Sequence, residues 1–222
     1  MQSRPKDEED LERKAAAGVI HAAGFVRKYA RSDKKINLET VNAIHKEIWK
    51  NIWPEIAGQF RTEEVKISGS KHLPPHPTKI PGLMKQADAE LISKINNIGP
   101  ECKGLIIGFD EISNELVECI DKVVTVAAWI HHKITFIHPF FEGNGRTARL
   151  AANLILERYG LVGISVKIEK ENKNAYRKAL AQIDNNSDYE PLKKLIYEGL
   201  NERYNGVPMK YYPATHKKPK AL

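Results

Sequence analysis

The sequence predicts a mainly α-helical fold with one small β-hairpin. Apolar residues recur three and four positions apart over most of the chain, and glycine, proline and asparagine cluster between those runs. Only the stretch from Gly58 to Ser70 alternates apolar and polar residues, at Phe60, Val65 and Ile67, as a half-buried strand does. With 222 residues, 41% of them apolar, the chain can bury one substantial core and is short for two.

The elements follow in order. Leu11 to Tyr29 is alanine-rich, with Val19, Ile20, Ala23 and Val26 at helical spacing. Asn37 can cap a second helix, Leu38 to Trp49, whose positions Leu38, Val41, Ile44, His45 and Ile48 share one side before Trp53-Pro54 stops it. The candidate hairpin comes next, closed by Gly69 and the cluster Pro74-Pro75-His76-Pro77. Helical spacing resumes from Pro81 to Asn97 and again from about Glu111 to Ile137, after a break at Gly99, Pro100, Gly104 and Gly108. Further helices are expected over Arg146 to Tyr159, with Gly160 in the left-handed cap position, over Asn172 to Ile183 and over Pro191 to Tyr204.

Bulk properties narrow the setting. The apolar run Val123 to Ile130 is far shorter than the ~20 residues a bilayer span needs, and the first ten residues carry charge with no apolar run behind them. No membrane association and a cytoplasmic location are the expectations. Cys102 and Cys119 form no paired motif and are read as free thiols. The net charge of +7 is spread along the chain and concentrates only in the tail His216-Lys217-Lys218-Pro219-Lys220, so nucleic acid is not the expected partner.

One dodecamer, His138-Pro139-Phe140-Phe141-Glu142-Gly143-Asn144-Gly145-Arg146-Thr147-Ala148-Arg149, collects the parts of a triphosphate site. His138 can take a proton near neutral pH, and Glu142 offers the hard oxygen that Mg²⁺ prefers. Gly143 and Gly145 permit a positive-φ nest of inward N–H groups, and Asn144 adds a side-chain amide. A helix opening at Arg146 brings its N-terminal donors to the same place, with Arg146 and Arg149 on one face of its first turn. His131 and His132 diverge by about 100° on a helix and lack the spacing of a zinc pair, so one of them is expected on a solvent or subunit face.

This dodecamer resembles the signature of Fic-domain enzymes, His-x-Phe-x-(Asp/Glu)-Gly-Asn-Gly-Arg-x-x-Arg, at every fixed position. Gly58-Gln59-Phe60-Arg61, Val65-Lys66-Ile67-Ser68-Gly69, His72-Leu73-Pro74-Pro75 and Leu83-Met84 also recur in the family's order. The resemblance implies a Fic-type helical bundle with a β-hairpin flap over residues 36–205, preceded by a helical segment, 1–35, and followed by a basic tail, 206–222. It implies a protein adenylyltransferase moving AMP from ATP to a Ser, Thr or Tyr hydroxyl of a target protein, with release of pyrophosphate. His138 would be the base, Glu142 the Mg²⁺ ligand, and Gly143, Asn144, Gly145, Arg146 and Arg149 the phosphate site, Arg149 on the γ-phosphate. Tyr176 and Asn185 would line the adenine pocket, and Val65, Lys66, Ile67, Ser68 and Gly69 would hold the target by strand addition. Phe140 and Leu150 read as core anchors.

Alternatives remain on the same scaffold: transfer of another nucleotide or phosphoryl group, removal of AMP, or a non-catalytic binding module. Many such proteins carry an inhibitory Ser/Thr-x-x-x-Glu-Gly/Asn helix. The Glu-Gly and Glu-Asn pairs outside the signature, Glu171-Asn172 and Glu198-Gly199, have Lys167 and Lys194 where the hydroxyl belongs. Restraint of Arg149 is therefore expected from a separate antitoxin-like protein, from a divergent segment such as the last helix with Glu198 or Glu202, or not at all. The sequence leaves a homo-oligomer open.

Overall fold

The computed structural model describes residues 5–107, 113–165 and 173–206. The basic tail beyond Gly206, the stretch around Glu111 and the Glu171-Asn172 pair lie outside them. Seven α-helices are described: α1 Glu8–Ala30, α2 Leu38–Trp49, α3 Ile80–Asn96, α4 Asn114–Ile137, α5 Asn144–Arg158, α6 Lys173–Asn186 and α7 Glu190–Tyr204. Each matches a helix expected from the apolar spacing, with ends displaced by three residues or fewer.

Local chemistry sets most of those ends. Asn37 and Thr40 form a reciprocal capping box at α2, and the carboxylate of Asp7 accepts from the Asp10 N–H at α1. At the end of α5, Gly160 takes φ +98, and the Leu161 N–H returns to the Leu156 carbonyl.

α4 and α5 form the centre. α1 and α2 pack beside α5, α3 and α7 pack on α4, and α6 rests on α7. Ile130, Ile134, Leu154, Ile155 and Leu156 are fully buried where α4 meets α5. On α1, Gly18 sits where an added Cβ would run into the Ile48 carbonyl and the Ile52 side chain of α2. That glycine lets α1 lie close against α2.

The hairpin is corrected in one respect. The described residues contain no strand: residues 62–73 form two extended arms about a turn in which Ser70 N–H donates to the Ile67 carbonyl (3.1 Å). Gly69 there has φ +68, as the third position of a type II turn requires. Within the arms the Glu63 carbonyl accepts from Arg61 and the Ser68 carbonyl from Arg177, and Pro74, Pro75 and Pro77 just after them have no N–H to give.

The cysteines are corrected as well. Cys102, in a 3-10 turn after α3, and Cys119, on the second turn of α4, are disulfide-bonded with Cα atoms 5.2 Å apart. Sequence spacing alone does not say which cysteines meet, and here the packing of that turn on α4 brings them together.

Gly18→Ala should lower the melting temperature by several degrees, because the overpacking it creates costs about 1–3 kcal/mol. Gly24→Ala on the same helix meets nothing within 4 Å and should leave the melting temperature level or raise it, as the better helix former. Thermal melts of the two variants check the pair.

Candidate active site

The site is built on the turn that joins α4 to α5. His138 caps α4 in the left-handed region, at φ 52 and ψ 55, with its N–H on the Ile134 carbonyl (2.9 Å). A non-glycine residue rarely adopts that conformation, and Pro139 directly after it prevents the helix from continuing. The cap turns the imidazole so that Nδ1 donates to the Thr135 carbonyl at 3.3 Å. That bond fixes the tautomer and leaves Nε2 as the basic nitrogen. Burial holds this imidazole well below its ordinary value of 6.5, at about 4, and the nearby Arg61 and His72 lower it further.

Three side chains from elsewhere brace the turn. Arg61, 4% exposed, donates from Nε to the His138 carbonyl (2.8 Å), from Nη1 to the Glu63 carbonyl (2.7 Å) and from Nη2 to the Pro75 carbonyl. Its own N–H meets the Pro139 carbonyl at 2.8 Å. One guanidinium thus ties the flap's first arm and the proline segment after its second arm to the signature turn. On α2, His45 stacks on Phe140, with ring centroids 3.8 Å apart and planes 6° from parallel. Its Nδ1 accepts the Gly58 N–H, so Nε2 carries the proton and donates to the Glu142 carbonyl (2.9 Å). Burial holds His45 neutral, at about 4.

Asn144 supplies the third brace, and this changes its expected role. Its Oδ1 accepts from Phe140 N–H (2.9 Å) and its Nδ2 donates to the Phe140 carbonyl (2.7 Å), so the side-chain amide is spent inside the turn. What Asn144 offers an anion is its backbone N–H. The nest is also narrower than expected: Gly143 has φ +81, whereas α5 begins at Asn144 and Gly145 lies in its first turn. A Cβ on Gly143 would strike the Trp49 indole, and one on Gly145 would crowd Arg149.

The two arginines diverge. Arg149 lines a cleft of about 810 Å³ together with His138, Gly145, the flap residues Ile67, Ser68 and Gly69, and Tyr176 and Asn185 of α6. Arg146 turns the other way and pairs with Glu142 (3.2 Å) and with Glu12 of α1 (2.8 Å), over the Trp49 ring. Val65 and Lys66 do not line this cleft; they stand on the flap's first arm. Glu142 accepts from Gly143 N–H (2.7 Å) and Arg146, both through Oε1. Its Oε2 is a hard oxygen of the kind Mg²⁺ takes, although Glu142 is not among the residues that line the cleft.

His131 and His132 are buried, at 0% and 7% exposure, not on a surface. His131 Nε2 bonds the Tyr176 hydroxyl (2.8 Å) and His132 Nε2 bonds Asp184 (2.7 Å), so the adjacent pair docks α6 onto α4. Tyr176 is thereby held edge-on to an imidazole at the wall of the cleft. Burial holds His131 neutral, at about 3, with Arg149 and His132 adding to the shift. Phe140 and Leu150 are buried anchors as expected.

With this geometry in place, comparison with known proteins is decisive on one point. The family model described as Fic/DOC matches residues 35–156, more than half of the chain. The chain belongs to the Fic/DOC family. A protein adenylyltransferase Fic from Nematostella vectensis is 28% identical over 187 residues, which cover 84% of this chain and 38% of that relative. The chain thus spans well under half the length of that curated relative. Among solved structures, a Fic-1 fragment from C. elegans superposes with a TM-score of 0.65 at 23% identity, covering 93% of this chain and 54% of the other. BepC from Bartonella tribocorum, solved with bound AMPPNP, gives 0.56 at 19% identity, covering 87% and 88%. These structures share the fold.

Several positioning residues escape a motif search. His45 shows only as a polar residue on an apolar helical stripe, and Glu12 is followed by Arg13, so a search for Glu-Gly or Glu-Asn passes over it.

Arg61→Lys keeps the charge and loses the fork, which should cost about 2–4 kcal/mol of stability through unsatisfied buried carbonyls. Urea melts measure the loss. Acid should also destabilise the fold. His45, His131 and His138 all have folded values below 6.5, so the unfolded chain binds protons that the folded chain excludes. The three histidines' contribution should be level above pH 6.5 and fall as pH drops from there towards 4, against the opposite trend of Glu157, which burial raises to about 7; in a Glu157→Gln background a urea midpoint that rises on acidification would contradict the burial.

Proposed function

We propose that this chain is an Mg²⁺-dependent protein adenylyltransferase that moves AMP from ATP to a hydroxyl side chain of a target protein. The observation that supports it best is His138, a neutral imidazole whose Nδ1–H is fixed on Thr135 and which shares one cleft with Arg149 and the start of α5. Such an imidazole can accept a hydroxyl proton at Nε2 as the oxygen attacks the α-phosphorus. The new P–O bond forms as the bond from the α-phosphorus to the bridging oxygen breaks, and pyrophosphate leaves with the bonding pair. Mg²⁺, when bound, would neutralise charge on the phosphate oxygens, with Glu142 Oε2 as its protein ligand. The N–H groups at the start of α5 and the Arg149 guanidinium face that charge from the protein side. Tyr176 and Asn185, which line the same cleft, would border the adenine. The flap residues Val65 to Gly69 would hold the target segment.

Restraint enters the same reading. Glu12 of α1 occupies Arg146, the other arginine assigned to the phosphates, so α1 would act as a restraint on Arg146 distinct from the one expected on Arg149 from Glu198 or Glu202. An antitoxin-like partner would then act by reinforcing α1 or by covering Arg149. No described helix is long and apolar enough to cross a membrane. The Cys102–Cys119 disulfide supports an oxidising setting over the cytoplasmic one expected from the sequence.

Incubation with a cell lysate and ATP labelled at the α- or the γ-phosphate tests the reaction. Label should be retained from the α position only and fall at least about 100-fold in His138→Ala. Retention from the γ position would mean phosphoryl transfer instead. Glu12→Gln should increase labelling and tighten ATP binding severalfold in calorimetry; unchanged values would make the α1 contact purely structural.

A further inference from the structure

The mouth of the cleft is cationic on two walls. Lys71 projects from the flap side, and Lys173, Arg177 and Lys178 from α6. The single carboxylate among the cleft residues is Asp184, already bonded to His132 at 2.7 Å. Among the described residues, Lys71, Lys173 and Lys178 have no carboxylate partner, while Lys193, buried elsewhere, has two. Arg177 crosses from α6 to the flap, where its Nη2 donates to the Ser68 carbonyl at 2.8 Å. This belt lies beyond the phosphate cradle, since Arg149 and Gly145 mark the cradle's side of the cleft and Arg177 reaches the flap. Leu73, 77% exposed, and Phe136, 37% exposed, add an apolar shelf at the same mouth.

We propose that the segment accepted at this mouth is an acidic peptide: an acceptor hydroxyl with Asp or Glu within two or three residues of it and an apolar side chain for the shelf. The assignment rests on the adenylyltransferase reading for the position of the acceptor, and on charge complementarity for the rest. Cations with no carboxylate partner among the described residues, set around a concave, low-dielectric mouth, focus field lines, favour carboxylates on approach and reject cationic segments. The exposed leucine and the flap backbone suit a peptide better than a nucleic acid, which would call for aromatic faces free to stack; the Phe136 ring lies against His72 and His132, and Tyr176 is held edge-on by His131.

The test uses the full chain with Mg²⁺ and ATP and three fluorescent nine-residue peptides around one threonine: Asp/Glu flanks, the Asn/Gln isosteres, and Lys flanks. Anisotropy should show the acidic peptide binding about ten times tighter than its isostere, with the advantage shrinking between 50 and 300 mM salt as screening demands. In the double variant K71E/K178E, confirmed folded by its melting curve, the preference should vanish or reverse. Equal binding of the three peptides, no binding of any, or a preference that survives in the variant would overturn the proposal. So would a single-stranded oligonucleotide of equal charge that displaces the acidic peptide at lower concentration. AMP transfer from α-labelled ATP, read on the same peptides, separates the two claims. An acidic preference without transfer to any peptide or lysate protein sinks the adenylyltransferase reading alone, and transfer to all three alike sinks the acidic specificity alone.

Discussion

The turn from His138 to Gly143 faces a constraint on which everything else at the site depends. Its backbone leaves α4, reverses and enters α5 within a buried region, so its carbonyl and N–H groups have neither a ladder nor water to satisfy them. Side chains do it instead. Arg61 takes the His138 carbonyl, Asn144 takes both polar groups of Phe140, and His45 takes the Glu142 carbonyl. Each brace comes from a different part of the chain, so the loop is held only when α2, the flap and α5 are assembled together. The fixed setting of the His138 imidazole follows from that division of labour.

Much of this was readable in the sequence, for physical reasons that can be named. The helices announced themselves because each has one buried stripe and a recognisable stop, as with Asn37 at the start of α2 and Gly160 after α5. The dodecamer was legible because a base, a carboxylate and glycine at those offsets answer to one chemistry. What stayed hidden depends on contacts distant in sequence. No local pattern says that Glu12 meets Arg146, 134 residues away, or that Arg61 spans the Glu63 and Pro75 carbonyls. The histidine pair misled because helix geometry sends adjacent residues apart, yet α6 and the end of α4 enclose both. The flap misled differently: its alternation is that of a strand, and two of its carbonyls go to arginines.

The arrangement of charge divides the two faces of α5's first turn. On one side Arg146 sits between Glu12 and Glu142, a compensated cluster that links α1 to the signature. On the other, Arg149 looks into a cleft with few acids. Two arginines three residues apart therefore answer to different surroundings, one tied to α1 and one open to the cleft.

The disulfide lies at the far end of α4 from all of this. Cys119 is 19 residues before His138, about 28 Å along a helix. Because it joins α4 to the turn after α3, any break in the chain between the two cysteines leaves the pieces covalently joined. The helix that presents the imidazole would stay tethered to the bundle, and a nicked molecule would migrate as a whole one until a reductant separated its halves.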